Sequence, residues 1–210
     1  MEYTLITVGS FEVNCAIVWD AGQVAWVIDP GEDAATIVAE LRRRKLHLAR
    51  IVLTHGHIDH VAGLDGVLAA FPGTPVSMHA EDAAWAFGPM NRFPPYNTVP
   101  QRPATLTLVE EGSRLVDGGL SAEVLHTPGH APGCICLHFV AEQVIFTGDT
   151  LFAGSVGRTD LPGGNGAKLA RSLKRLATLP KATTVIAGHG PRTTLETECR
   201  ENPFLARHSR

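Results

Sequence analysis

The sequence predicts an α/β (α+β) protein in which two β-sheets pack face to face with helices on their outer sides. Two observations predict it. Strand-like runs are followed by helix-like runs, and that order occurs twice along the chain. Each run also carries an apolar face that needs a covering layer, and a helix–sheet–sheet–helix stack buries all of them. The 210 residues fit a single domain over residues 1–210, long enough to hold a core without disulfides.

The first half opens with strands over residues 3–8, 14–19 and 24–28, the last two joined by a turn at Asp20-Ala21-Gly22. Asp29-Pro30-Gly31 stops the third strand. Ile37, Val38 and Leu41 recur at helical spacing, which predicts a helix over 34–44 with Asp33 as its N-cap. The cations Arg42, Arg43, Arg44 and Lys45 then complement the carbonyl-rich end of that helix. A buried strand over 49–53 is followed by a helix over 62–71, closed by Pro72-Gly73. Residues 76–79 read as a strand and 80–87 as a helix. Pro89, Pro94, Pro95, Pro100 and Pro103 exclude regular structure between 88 and 103 and mark a long loop of the kind that serves as a lid. Strands return over 120–126, 134–140 and 143–147, then a helix over 167–179 and a last strand over 184–187.

Composition narrows the function classes. A hydrophobic share of 44% and a charged share of 19% fit a soluble globular protein. A net charge of -3 without a long basic run gives no electrostatic case for nucleic acid. No apolar run approaches the roughly 20 residues of a membrane span, and the start MEYTLITVGS lacks a basic lead and a signal-peptide core. A cytoplasmic location is therefore expected. Cys15, Cys134, Cys136 and Cys199 are too few for a disulfide scaffold, and Cys134 and Cys136 read as buried reduced thiols rather than a zinc pair. The sequence is silent on oligomeric state.

Chemistry concentrates at strand ends. Thr54-His55-Gly56-His57-Ile58-Asp59-His60 begins where the 49–53 strand stops. In an extended loop alternate side chains point to one side, so His55, His57 and Asp59 converge on one cavity and His60 turns in beside Asp59. Neutral imidazoles and carboxylates suit zinc, iron or manganese, and a set free of cysteine points to an open, catalytic site rather than a structural one. Three more polar residues stand in glycine-flanked turns directly after apolar strands: His130, Asp149 and His189. Five histidines and two aspartates placed this way read as one metal site. His47, His79, His126, His138 and His208 lack such a context and read as structural or solvated.

The ordered set T-H-x-H-x-D-H, a glycine-flanked His, a G-D and a G-H-G resembles the metallo-β-lactamase superfamily over essentially the whole chain. The resemblance implies an αββα sandwich with a two-metal site between its sheets. It implies that His55, His57 and His130 hold one metal, Asp59, His60 and His189 the other, and that Asp149 bridges both. Two divalent ions are the implied cofactors, zinc first, with iron or manganese suited to the same ligands. Within the superfamily, residues 147–158 (TGDTLFAGSVGR) and Gly188-His189-Gly190-Pro191 are most similar to glyoxalase II and its short bacterial relatives. That likeness implies hydrolysis of a small-molecule thioester of the glutathione type, such as S-lactoylglutathione. Asp59 and Asp149 would orient a metal-bridging hydroxide as the catalytic pair.

The chain also departs from that group. Full-length glyoxalase II carries a C-terminal helical region whose basic residues grip glutathione, whereas here Arg192 to Arg210 follow the last histidine. Arg158 and Asp160 stand where the group has a lysine and a tyrosine. Arg158 is the candidate for binding a substrate carboxylate, with a structural pairing to Asp160 as the alternative. Arg158-Thr159-Asp160 also resembles persulfide dioxygenases, in which positions matching His55, His130 and Asp149 hold a single iron. A lactonase or β-lactamase would use the same metals. Asp149-Thr150-Leu151-Phe152 resembles the hydrolases, so hydrolysis is the expected reaction.

Overall fold

The computed structural model describes residues 1–206, so His208 lies outside the described residues. In the first sheet β1 (Glu2–Val8), β2 (Val13–Trp19) and β3 (Val24–Ile28) run antiparallel, and β4 (His47–Val52), β5 (Val76–His79) and β6 (Leu106–Val109) continue it in parallel. The second sheet contains β7 (Arg114–Asp117), β8 (Leu120–His126), β9 (Ile135–Phe139), β10 (Val144–Gly148), β13 (Thr184–Ala187) and β14 (Thr193–Thr194), in the spatial order β14-β13-β10-β9-β8-β7. Between β10 and β13 lies a two-stranded hairpin of β11 (Leu151–Phe152) and β12 (Ser155–Val156).

The two-residue period of the strands sorts their side chains into three layers. Along β2, Cys15, Ile17 and Trp19 face one buried cluster while Ala16 and Val18 face another. The first cluster packs the outer face of the first sheet against α1 (Ala34–Arg43), α2 (Ile58–Val61) and α3 (Leu64–Ala70), through Ile37, Leu41, Val61 and Leu64. The middle cluster joins the two sheets: Trp26, Ile28 and Val52 meet Leu137, Phe139 and Phe146. On the far side, Leu125, Cys136 and Ile145 pack against α5 (Gly166–Leu176), α6 (Leu195–Glu201) and α7 (Pro203–Ala206) through Leu169, Leu173, Leu195 and Leu205. The result is the helix–sheet–sheet–helix stack that the element order predicts. The middle layer is the part held from both sides. Phe139 is wholly buried there, with its ring 5.5 Å from Trp26 and 5.8 Å from Phe146. Phe139→Ala is expected to lower the unfolding free energy by about 3–5 kcal/mol, read as a fall in the denaturant midpoint.

Several elements differ from the sequence expectations. The helix expected over 62–71 starts earlier and is broken: α2 holds Asp59 and His60, and the chain resumes helix only at Leu64. The break falls at Gly63, whose N–H donates to the Pro30 carbonyl at 2.9 Å, an approach that a β-carbon would block. Asp33 stands at the start of α1 but does not cap it. Its backbone is left-handed (φ 48°) and its carboxylate instead accepts the Gly9 N–H at 2.9 Å. The helix expected over 80–87 is the single turn α4 (Ala80–Ala83). The proline-rich stretch holds one short 3-10 turn, Pro89–Asn91, and otherwise no regular element beyond an isolated Phe93–Tyr96 bridge. Strands β6, β7, β11, β12 and β14 and helices α6 and α7 have no counterpart among the sequence expectations. The four cysteines are free, with Cys134 and Cys136 buried. No helix among the described residues is long and apolar enough to cross a membrane.

Candidate metal centre

Each residue singled out at a strand end arrives at the same edge of the sandwich. His55 and His57 follow β4, Asp59 and His60 lie on α2, His130 follows β8, Asp149 follows β10 and His189 follows β13. The turn before Asp149 is possible only with glycine: Gly148 is left-handed (φ 47°), and a β-carbon there would strike the Thr54 side chain.

The seven residues form two groups around a shared carboxylate. Donor atoms of His55, His57 and His130 lie within 4.8 Å of one another, as do those of Asp59, His60 and His189. In the first group His57 Nδ1 is 2.8 Å from His130 Nε2, and in the second His60 Nε2 is 3.3 Å from His189 Nε2. Asp149 stands between them, with Oδ1 3.4 Å from His60 Nε2 and Oδ2 3.4 Å from His130 Nε2. Asp59 Oδ2 lies 3.4 Å from His189 Nε2. The motif is shared between the two groups, and not by the alternation along an extended loop that its spacing suggested: His57 is extended, while Asp59 and His60 project from a helical turn.

A layer of partners behind the histidines fixes which nitrogen faces the cavity. His130 Nδ1 donates to the Arg158 carbonyl and His189 Nδ1 to the Phe11 carbonyl, both at 2.8 Å. His60 Nδ1 donates to Asp29 Oδ2 at 2.9 Å. The Thr54 hydroxyl spends its single proton on Asp29 Oδ2 at 2.6 Å, so it accepts from His55 Nδ1 at 3.1 Å. When neutral, these four rings therefore carry the proton on Nδ1 and present a lone pair at Nε2, the arrangement that metal-ligating histidines require. His55 Nε2 and Asp149 Oδ1 are buried without any hydrogen-bond partner. Orphaned buried acceptors aimed into one cavity fit a cation as the missing partner.

Sequence reasoning missed Asp29, which read only as a strand stop. It is 2% exposed, directly follows β3 and sets the tautomers of His60 and, through Thr54, of His55. The signal was present, since a carboxylate ending a buried apolar strand is the same feature that singled out Asp149. The expectation that Arg158 contacts substrate finds its guanidinium turned to Asp160, at 2.6 and 2.7 Å, on the surface. The part of Arg158 that reaches the centre is its carbonyl. Among the other histidines, His79 and His126 stack 4.0 Å apart, but His79 Nδ1 already faces the Glu81 N–H and His126 Nε2 the Pro132 carbonyl.

The electrostatics of the two groups differ. Burial, reinforced by the neighbouring histidines, holds His55 well below the ordinary histidine value, and burial with His130 brings His57 down to about 4. Burial also disfavours charge on His60, yet Asp149, Asp59 and Asp29 outweigh it and hold the ring well above the ordinary value. His189 is likewise raised: burial opposes its charge, while Asp59 and Asp149 favour it. Asp149 is held below the carboxylate range because His60, His130 and His189 overcome its burial.

The family model of the metallo-beta-lactamase superfamily matches residues 8–189. The chain belongs to the metallo-beta-lactamase superfamily. The hydroxyacylglutathione hydrolase GloC of Haemophilus influenzae is 34% identical over 218 residues, covering 98% of each chain. The crystal structure of the BLEG-1 B3 metallo-beta-lactamase superposes with a TM-score of 0.90 at 35% identity, over 97% of this chain and 99% of that one. A di-iron-bound crystal structure of TTHA1623 superposes with a TM-score of 0.87 at 37% identity, over 96% and 100%. Membership in the metallo-beta-lactamase superfamily supports a metal-dependent hydrolase as the class of enzyme, and the di-iron relative leaves the identity of the metal open.

Proposed function

We propose that this protein is a thioester hydrolase with a two-metal centre, acting on S-lactoylglutathione or a related glutathione thioester. The observation that carries the reading is Asp149, a buried carboxylate lying 3.4 Å from a histidine nitrogen in each of the two three-residue groups, Oδ1 beside His60 and Oδ2 beside His130 and, at 3.6 Å, His189. The full-length likeness to a hydroxyacylglutathione hydrolase supports the substrate class. His55, His57 and His130 would hold one divalent ion and Asp59, His60 and His189 the other, with Asp149 facing both. When bound, such a pair lowers the pKa of a water so that hydroxide is available near neutral pH, and polarises a carbonyl oxygen.

The chain's own groups supply orientation and charge. Asp59 and Asp149 turn carboxylate oxygens to the side that the histidine nitrogens face, where they would orient a nucleophilic water toward a bound carbonyl. The Nδ1 partners keep the histidine rings from turning, so the cavity stays preorganised and no reorientation is needed during reaction. A departing thiolate is a good leaving group at neutral pH, so no side chain has to act as its general acid.

The test is metal analysis of protein purified without added metal, followed by assays on three substrates. Two metal equivalents per chain with release of free thiol from S-lactoylglutathione are expected. One tightly held iron with oxygen uptake on glutathione persulfide would overturn the reading in favour of a dioxygenase. Turnover of a β-lactam with none of the thioester would place the chain with lactamases.

The unequal electrostatics predict an order of metal loss. His60 and His189, with raised pKa values, already hold protons in the metal-free centre when the pH falls to the ordinary histidine value of about 6.5, and a cation must displace those protons to bind. His57 resists protonation until about pH 4, and His55 is also held low. Between those limits the Asp59–His60–His189 group is expected to release its ion while the His55–His57–His130 group retains one. Equilibrium dialysis in half-unit pH steps should show the two equivalents leaving separately. Loss of both together would contradict the difference.

A further inference from the structure

The short segment from α4 to the proline-rich loop touches the centre at a point that none of the seven residues explains. Asp82, in α4, is completely buried. Its Oδ2 accepts the N–H of Gly56 at 2.8 Å, and its Oδ1 accepts the N–H of Gly133 at 2.6 Å. Gly56 lies between His55 and His57, and Gly133 lies three residues beyond His130. One carboxylate therefore ties together the two loops that carry all three residues of the first group. Neither loop carries His189.

The other side of the same peptide is held as well. Asn91 Nδ2 donates to the Gly56 carbonyl at 2.7 Å and to the Ala86 carbonyl at 2.7 Å. The Trp85 ring lies 5.4 Å from the His57 ring, and a β-carbon on Gly56 would press on Trp85 and Ala86 at 3.0 Å. A β-carbon on Gly133 would meet the Asp82 carboxylate at 2.8 Å. A buried carboxylate without a cationic partner is expensive unless hydrogen bonds satisfy it. Here both its oxygens are committed to backbone amides of loops whose spacing the metal group depends on.

We propose that Asp82 is a positioning residue that fixes the separation of the His55–His57 loop from the His130 loop, and thereby the metal affinity of the first group alone. Removing one of its acceptor oxygens frees one loop from the other; the first loop runs on into α2, but Asp29 still holds His60 and the Phe11 carbonyl still holds His189. The inference rests on the two-metal reading above, and its test separates the two.

The experiment uses Asp82→Asn in the full chain, stripped with a chelator and titrated with cobalt(II), whose absorption reports each site. His189→Ala and His57→Ala backgrounds isolate the first and second groups respectively. Asp82→Asn is expected to weaken cobalt binding roughly 10–100-fold in the His189→Ala background, the scale of outer partners of metal ligands, and to leave it unchanged in the His57→Ala background. Equal weakening in both backgrounds, or in neither, would overturn the proposal. Absence of cobalt binding in the unsubstituted chain would overturn the metal reading itself. Should Asp82→Asn not fold, hydrogen exchange on the otherwise unsubstituted His189→Ala chain decides. The Gly56 and Gly133 amides should gain protection together when the first group is filled, and independent behaviour of the two would sink the idea.

Discussion

Asp149→Ala is expected to reduce the proposed thioester turnover by about 10²–10³-fold, the scale seen when a group acting directly on transition-state charge is lost, while far-ultraviolet circular dichroism stays unchanged. Asp149 is 7% exposed, follows β10, and is the only one of the seven residues with an oxygen near each group: His60 Nε2 on one side, His130 Nε2 on the other. Alanine there removes an anion that both groups share, so both metal equivalents should weaken. His189→Ala makes the informative comparison, since it removes a donor from one group only and should cost one equivalent. The metal-free protein should change too. Asp149 is among the charges that raise His60 and His189, so both rings are expected to titrate at lower pH in the alanine variant, measurable by NMR of the imidazole protons. Two retained equivalents with unaltered turnover in Asp149→Ala would remove the shared-carboxylate reading. The fold has little at stake, because among the described residues no backbone hydrogen bond depends on this side chain.

The layers and the cavity residues were legible because they obey strong periodic rules. The unbroken apolar run of Cys15 to Trp19, short and β-branched, fits a strand buried on both faces, with Cys15, Ile17 and Trp19 on one and Ala16 and Val18 on the other. His130, Asp149 and His189 each stand in a glycine-flanked turn directly after an apolar strand, and the repetition of that placement is what singled them out. The misses have physical causes as well. Strands β6 and β7 carry the exposed Leu108 and Val116 at sheet margins, so their alternation is inverted at those points. Helix α2 is a single turn, too short for a periodic signal, yet it decides how Asp59 and His60 point. Arg158 was read through its guanidinium, whereas the structure uses its carbonyl to hold His130, and backbone roles leave no mark on residue identity. The prolines of 88–103 correctly excluded regular structure, but not the anchoring of that stretch. Asn91 bonds Gly56, and Phe93 and Tyr96 pack on Phe11, whose carbonyl holds His189. A lid made from this loop would have to release contacts to both groups.

Asp29 was hidden by its neighbours, since Asp-Pro-Gly reads as a turn, and it is expected to show the largest stability effect of any polar residue near the centre. Its Oδ1 accepts the Thr54 N–H at 2.7 Å, and its Oδ2 accepts both the Thr54 hydroxyl and His60 Nδ1. Asp29→Ala leaves three buried donors facing a void, each costing about 1–3 kcal/mol if unpaired. Because the Thr54 hydroxyl can turn elsewhere, the net loss should be about 3–5 kcal/mol, the range for breaking a buried charged contact. In a chain of this size that corresponds to a fall in Tm of roughly 6 to 20 °C. Asp29→Asn separates architecture from chemistry. The amide oxygen still receives the Thr54 N–H, but its NH2 now donates toward His60 Nδ1, which must become an acceptor. The His60 proton then moves to Nε2, the atom that faces Asp149 and His189. The same NH2 faces the Thr54 hydroxyl, which must then turn its proton toward His55 Nδ1. The asparagine variant should therefore keep most of the stability and lose affinity in both groups, through His60 directly and through Thr54 at His55, by roughly 10–100-fold. If it binds both equivalents as tightly as the unsubstituted chain, the tautomer argument fails, and Asp29 is a structural support of the Thr54 turn and nothing more.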